Sequence, residues 1–477
     1  ADDGDAEPSG GGLPRAEVER LAVLDAEHGA DRAAEVAPTF DAARVRCFDS
    51  AVSWARADLG HLYHGMRSGS LDEPATAELV EHLRLFAGSD ERFDSTVGWY
   101  RHLAAESGVG PLEKAFADVA EGPTPKQRRA RGRFSGRRVL VSGAAPDSIG
   151  EATAAQLLAG SATVVMVSHS AGRRRRLAVR ELFRRHAGPG ARLFLVRANL
   201  ASFTDIDRLV DWLTTSLTGG ADSPHPGAPQ VVLPFAAAPV SGDVPDTGHR
   251  SEVELRVLLL GVERLVGRLA EETGRAVGAD RLTAVLPMSP NHGTFGGDGS
   301  YGDAKAGLEV LESRRLSEFE RWGRHCRIIG AEIGWVRGTG LMSGNDAMAP
   351  LVEQQLSVRT FAPAEMGALI ADLCAPEGVG GPGHSSDSGE HPKVGADRVD
   401  LTGGLSEVAG SGALSRLLRS GLSCASSLYT GSDGVDVGES EEPAGRELHA
   451  LITPVDAGDT GGADVAATDG DLSLIHI

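Results

Sequence analysis

Three residues have the types and spacing to do chemistry together. They are Ser289, Tyr301 and Lys305, in the stretch LTAVLPMSPNHGTFGGDGSYGDAK that runs from Leu282 to Lys305. Tyr301 and Lys305 are four positions apart, which puts them on one helix face, a turn from each other. Ser289 follows an apolar run of strand length, Leu282 to Met288, and precedes the tyrosine by twelve positions. Such a set suits hydride transfer to a ketone. The tyrosine donates the proton, the ammonium lowers the tyrosine's pKa, and the serine hydroxyl holds the carbonyl oxygen. A Tyr-x-x-x-Lys pair can equally be plain helix surface, but composition weakens that reading. The chain has four Tyr, and only four of its 47 Lys+Arg are lysine. Chance would give roughly 0.03 such pairs. Where a plain positive charge would serve, the chain uses arginine, so a lysine at 305 marks a place for a compact ammonium able to lose its proton.

The elements around this stretch alternate. From Arg137 the pattern reads strand (137–143), helix (148–160), strand (162–168), helix (173–186), strand (191–199), helix (203–217) and strand (230–238). A helix over 252–273, the strand at 282–288, a helix from 301 and a strand over 326–334 complete six β/α repeats. Crossovers between parallel strands need helices, so the expected fold is α/β: a doubly wound parallel-sheet Rossmann domain, preceded by a helical structural region. The first turn, GAAPDSIG, sets Gly143 at a strand end, Ser148 before the helix and Gly150 in its first turn. Small residues there let backbone approach a pyrophosphate at a helix N-terminus. After the second strand no Asp or Glu awaits a ribose diol; the chain reads Ser168-His169-Ser170-Ala171-Gly172-Arg173 and continues with three more arginines. Hydroxyls and cations without a carboxylate favour a 2′-phosphate, hence NADPH over NADH. For at least two of the four arginines a solvated helix face is the better reading. The Gly-rich loop GWVRGTGLMSGNDA after the sixth strand is placed to close over a nicotinamide and carry Thr339 to it.

With 477 residues there is room for two or three domains. The segments expected are an acidic disordered stretch (1–13), a helical structural region (14–121), a basic linker (122–136) and the NADPH-binding domain (137–374). A linker (375–397), a small ordered extension (398–429) and a disordered acidic tail (430–477) follow. The net charge of −20 argues against a general nucleic-acid binder. Four cysteines share no metal spacing or disulfide framework, so no metal is expected, and a reducing, cytoplasmic compartment is. No apolar run is long enough to span a bilayer. The absence of an initial Met and the apolar end DLSLIHI, unlike the Asp/Gly/Ala-rich segment before it, lead us to expect a fragment of a larger protein with a non-native terminus.

Four segments, GAAPDSIG, LPFAAAPVSGDV, MSPNHGTFGGDGSYGDAK and IGWVRGTGLMSGNDA, together closely resemble the ketoreductase domain of the type I fatty acid synthase multienzymes of bacteria and fungi. The resemblance covers roughly Arg137 to Cys374 and extends loosely to DLTGGL. APTFDAARVRCFDS is similar to the structural segment that precedes that domain. Tyr-x-x-x-Lys by itself indicates only the broad short-chain dehydrogenase/reductase superfamily. The resemblance implies Ser289, Tyr301 and Lys305 as catalytic triad and Gly143, Ser148, Ile149 and Gly150 at the pyrophosphate. It further implies Asn199 near the adenine, with Ala236 and Ala237 beneath the ribose. The implied reaction is NADPH-dependent reduction of a 3-oxoacyl thioester on acyl carrier protein. Implied partners are that carrier, whose chain hangs on phosphopantetheine, and other synthase domains, in a homo-oligomeric parent assembly without nucleic acid or membrane. Two departures stand out. His169 occupies a position where the family often has Arg, and the superfamily's helix asparagine has no counterpart around Leu258. Two rival readings are a non-catalytic Rossmann scaffold and a stand-alone carbonyl reductase.

Overall fold

The computed structural model describes residues 35–215, 225–237, 242–275, 281–293, 297–340, 343–376, 397–409, 412–414 and 416–417. The acidic stretches expected at 1–13 and 430–477, and most of the 375–397 linker, lie outside the described residues.

Four helices follow a short strand: β1 (Arg46–Phe48), then α1 (Ala51–Ser68), α2 (Glu73–Arg84), α3 (Glu91–Ser107) and α4 (Gly110–Glu121). Asp72 and Asp90 start α2 and α3 by accepting the backbone N–H three residues on, which satisfies otherwise orphaned donors. Apolar residues at helical spacing, Ala55, Leu59 and Leu62 on α1, meet Leu83, Phe93 and Phe116, all buried. The stretch expected to be a basic linker is instead partly helical: α5 (Pro125–Ala130) has a proline in its first turn and a capping box between Thr124 and Gln127. Gln127 also donates to Glu81 O at 2.7 Å, and Phe134 is buried against Gly160. One buried aromatic and a formed helix start outweigh the charge run that the sequence shows first.

Among the described residues the sheet has eight strands in the order β1-β4-β3-β2-β5-β6-β7-β8. They are β2 (Arg138–Ser142), β3 (Thr163–Ser168), β4 (Arg192–Arg197), β5 (Val231–Pro234), β6 (Leu282–Met288), β7 (Cys326–Ile333) and β8 (Arg398–Leu401). All pair in parallel except β1, which runs antiparallel to β4 with Arg46 opposite Leu195. The order reverses between β2 and β5, so a crevice opens there beyond the strand ends. Alternation along each strand sorts the core into two faces. Val139, Val141, Val164 and Met166 pack on one side with the N-terminal helices, while Leu140, Val165 and Val167 pack on the other. Helices cover both faces: α6 (Ile149–Ala159), α7 (Arg173–His186), α8 (Phe203–Thr214), α9 (His249–Leu255), α10 (Gly261–Arg275), α11 (Tyr301–Ser317), α12 (Ala349–Leu356), α13 (Pro363–Leu373) and α14 (Leu405–Ala409).

Three features differ from the expected repeats. β1 and β8 extend the sheet at both edges, from segments read as helical preamble and as small extension. The single helix expected over 252–273 is broken by a π-helical turn, Arg256–Leu260. A Cβ at Gly261 would sit 2.5 Å from Leu200 O and 2.6 Å from Arg256 O, so only glycine lets α10 start where it does. The N-terminal helices are tied to the sheet domain by Asp58, which accepts from Arg184 Nε at 3.0 Å.

Candidate active site

β6 ends at Met288 and delivers Ser289 to the carboxyl edge of the sheet. The chain turns there through Asn291, whose N–H donates to Ser289 Oγ at 3.2 Å. α11 then begins at Tyr301, tight against the turn: a Cβ on Gly302 would come within 2.5 Å of Gly293 N. The structure brings the predicted triad together. The Ser289 hydroxyl acts on the Tyr301 phenol, lowering a pKa that burial raises. Lys305 Nζ lies 5.1 Å from the Tyr301 ring centroid and donates to Pro287 O at 2.7 Å. Tyr301 is 5% and Lys305 1% exposed.

Burial dominates the electrostatics. It raises the Tyr301 pKa, the Ser289 hydroxyl lowers it, and the negative charges of Asp298 and Glu254 raise it further. The phenol is therefore held protonated, as a proton donor must be. Burial also pushes Lys305 down from its ordinary 10.5 to about 7. The sequence reading had the ammonium lowering the tyrosine's pKa. Here the groups acting on the phenol are those just named, because a lysine desolvated this far has lost much of its charge near neutrality.

The first turn of the sheet domain is built to lie close against other backbone. Gly143 has φ +71°, and a Cβ there would collide with Phe235 O at 2.1 Å and Ala236 N at 2.4 Å. A Cβ on Gly150 would meet Gly143 O at 2.5 Å. Both glycines are thus required by the protein's own packing. Ser148 caps α6, accepting from Glu151 N at 3.1 Å and donating to Ala145 O at 2.7 Å, and Ile149 is buried behind it. Ala236 and Ala237 are buried just past β5 and Ser168 at the end of β3, on either side of β2.

Of the predicted cofactor residues, Asn199 and Thr339 make hydrogen bonds within the chain and Arg173 is exposed. Arg173 is exposed at the start of α7. Arg175, two residues on, reaches back to the first turn and donates through Nη2 to Ala144 O. Its Nε and Nη1 are shielded from solvent and lack a hydrogen-bond partner. Asn199, expected near the adenine, spends its amide on the chain itself: Nδ2 donates to Glu35 O at 2.7 Å and Ala37 O at 2.9 Å. Asp205 completes that dock by accepting from Thr39 N at 2.7 Å and Asn199 N at 2.7 Å. Thr339, expected over the nicotinamide, is 2% exposed and donates to Val336 O at 3.0 Å.

Sequence reasoning also missed Glu254, on α9 beside the start of α11. It is 3% exposed and accepts from Ser300 N at 2.8 Å. A lone glutamate in a helical pattern carries no signal that it is buried. Among the described residues no group of three or more His, Cys, Asp or Glu could hold a metal ion, and no helix is long and apolar enough to cross a membrane.

The fold is a doubly wound, mostly parallel α/β sheet preceded by a helical region, with Ser289, Tyr301 and Lys305 gathered at its carboxyl edge. Residues 13–115 match the family described as fatty acid synthase type I helical domain. The chain is 38% identical over 246 residues to the fatty acid synthase alpha subunit hexA of Dothistroma septosporum, covering 51% of this chain and 14% of that one. It is 36% identical over 283 residues to the fatty acid synthase apf5 of Gibberella fujikuroi, covering 59% and 16%. Against the fatty acid synthase subunit alpha of Schizosaccharomyces pombe it is 35% identical over 257 residues, covering 52% and 14%. The chain therefore spans a small part of the curated relatives it matches. Among solved structures, a short chain dehydrogenase from Burkholderia cenocepacia in complex with NADP overlays with a TM-score of 0.42 at 17% identity, covering 57% of this chain and 98% of that one. A short-chain dehydrogenase/reductase from Serratia marcescens gives 0.44 at 18%, covering 57% and 99%. The resemblance read from the sequence, to the ketoreductase region of type I fatty acid synthases, is borne out by the helical-domain match and by these alpha subunits.

Proposed function

We propose that this region is an NADPH-dependent oxidoreductase that reduces a 3-oxoacyl thioester, carried on acyl carrier protein, to the 3-hydroxyacyl thioester. The observation that carries the reading is the buried Tyr301 phenol, its pKa raised by burial and lowered in part by the Ser289 hydroxyl, with Lys305 beneath the ring. The residues present fit a bound dinucleotide phosphate. The backbone at Gly143 and Gly150, the N-terminus of α6 and the two unpartnered nitrogens of Arg175 offer donors to phosphate oxygens. NADPH, when bound, supplies the hydride. Ser289 Oγ donates to the substrate's carbonyl oxygen and orients it. Tyr301 passes its phenolic proton to that oxygen as negative charge develops there. Lys305, in its charged form, offsets the phenolate that remains. Ser168, at the end of β3, and Arg173, at the start of α7, are proposed to read the ribose phosphate with Arg175. Thr339 is proposed to bind the carboxamide end of the cofactor.

The other synthase domains and the acyl carrier are proposed partners, in a homo-oligomeric cytoplasmic assembly. The test is NADPH oxidation with an acetoacetyl thioester, comparing the chain with Tyr301→Phe. Expected is turnover that requires NADPH and falls by two orders of magnitude or more in the variant, the usual scale for losing a general acid. NADPH binding without turnover in both proteins would instead support a Rossmann scaffold.

A further inference from the structure

Ser300 precedes the catalytic tyrosine at the N-terminus of α11, and its side chain makes no cap. The first orphaned donor of that helix end is taken by a residue from another element: Glu254 Oε2 accepts from Ser300 N at 2.8 Å. The second carboxyl oxygen, Oε1, is shielded from solvent and has no hydrogen-bond partner. The charged groups acting on this carboxyl are Asp298, in the turn before α11, and Asp303, on its first turn. Asp298 Oδ2 accepts from Asn291 Nδ2 at 2.7 Å, and Asn291 N donates to Ser289 Oγ. Within its own helix, Glu252 is paired with Arg256 at 3.2 Å. A buried carboxyl thus lies among like charges, fixed on the helix end that carries Tyr301, and it feels the charge of Asp298, which is itself hydrogen-bonded to Asn291 beside Ser289.

We propose that Glu254 is a positioning residue for the reduction: it holds the N-terminus of α11, and so Tyr301, through Ser300 N–H, and its unpartnered Oε1 is the seat of an exchangeable proton. This rests on the reductase reading of the site. Burial first, then Asp298 and Asp303, raise the carboxyl to about 7, while the Ser300 bond lowers it. Ionised Glu254 raises the Tyr301 pKa and so makes the phenol a poorer proton donor. Protonated Glu254 removes that charge at the working pH and leaves the Ser300 bond in place, since Oε2 still accepts. The residue therefore supplies geometry without charge.

The test has a spectroscopic and a kinetic arm, both on the full chain. Infrared difference spectra from pH 5 to 9, on cofactor-free protein, are expected to show a protonated carboxyl that disappears around neutrality and is missing in Glu254→Gln. In the kinetic arm, Glu254→Gln keeps the Ser300 bond and is expected to retain KM for NADPH and to shed part of the fall in kcat above neutral pH, the remainder following the loss of charge from Lys305. Glu254→Ala loses the bond and is expected to drop kcat about tenfold or more, with KM for NADPH unchanged. No protonated carboxyl above pH 6, or a Glu254→Gln profile identical to wild type, overturns the inference. A wild-type chain that shows the band but reduces no 3-oxoacyl thioester places the failure in the reductase reading, because the infrared arm needs no substrate.

Discussion

Lys305 makes a sharp test because its burial is nearly complete and its expected effect has a definite sign. A fall from 10.5 to about 7 corresponds to roughly 5 kcal/mol between charged and neutral forms. Below pH 7 the folded and unfolded chains both carry the proton, and the folded state bears the whole cost of burying the ammonium. Between pH 7 and 10.5 the unfolded chain holds a proton that the folded one releases, so stability rises with pH. From pH 7 to 9 this rise amounts to about 2 kcal/mol, since the group is half titrated at the start. Glu254 works the other way. Its raised pKa lets the folded state hold the extra proton between its ordinary 4.5 and about 7, so that contribution falls as pH rises through that window. Lys305→Met removes only the first effect, though it leaves Pro287 O without its donor at 2.7 Å, at a cost of about 1–3 kcal/mol. Urea unfolding at pH 6, 7, 8 and 9 should show the wild-type midpoint gaining on the variant across the upper part of the range. Parallel curves for the two proteins would refute the claim that Lys305 is buried as a weak base.

Two other substitutions read separate parts of the molecule. Arg175→Met removes the two unpartnered nitrogens over the first turn and should raise KM for NADPH about tenfold, one charged contact's worth, while changing KM for NADH less; equal changes for both cofactors would remove Arg175 from phosphate recognition. Asp205→Ala strips the acceptor shared by Thr39 N, Phe40 N and Asn199 N, and should cost roughly 3 kcal/mol in urea and speed proteolysis within residues 35–40; unchanged cleavage there would mean that the segment is held by other contacts.

The triad was legible in the sequence because its geometry is local. A helix turn fixes Tyr301 against Lys305, and a strand end fixes Ser289, so type and spacing were sufficient to bring them together. The α/β repeats were legible because buried strands and helix caps write themselves in short periodic patterns: β6 and α7 appear where the sequence put them, and boundaries elsewhere differ by a few residues. The edge strands were not legible, since three residues at 46–48 and four at 398–401 are too few to show a period and acquire strand geometry only by pairing with β4 and β7.

What the sequence determined, then, is the order of elements and the chemistry set by neighbours along the chain. What only the tertiary structure decided is which polar groups lose water and which meet across the sheet. Arg175 rather than Arg173 turns toward the first loop, Asn199 is committed to Glu35 and Ala37 more than 160 positions away, and Glu254 caps a helix that begins 47 residues later. Desolvation depends on everything packed around a group, so neither the weak base at Lys305 nor the near-neutral acid at Glu254 could be read from its own position in the chain.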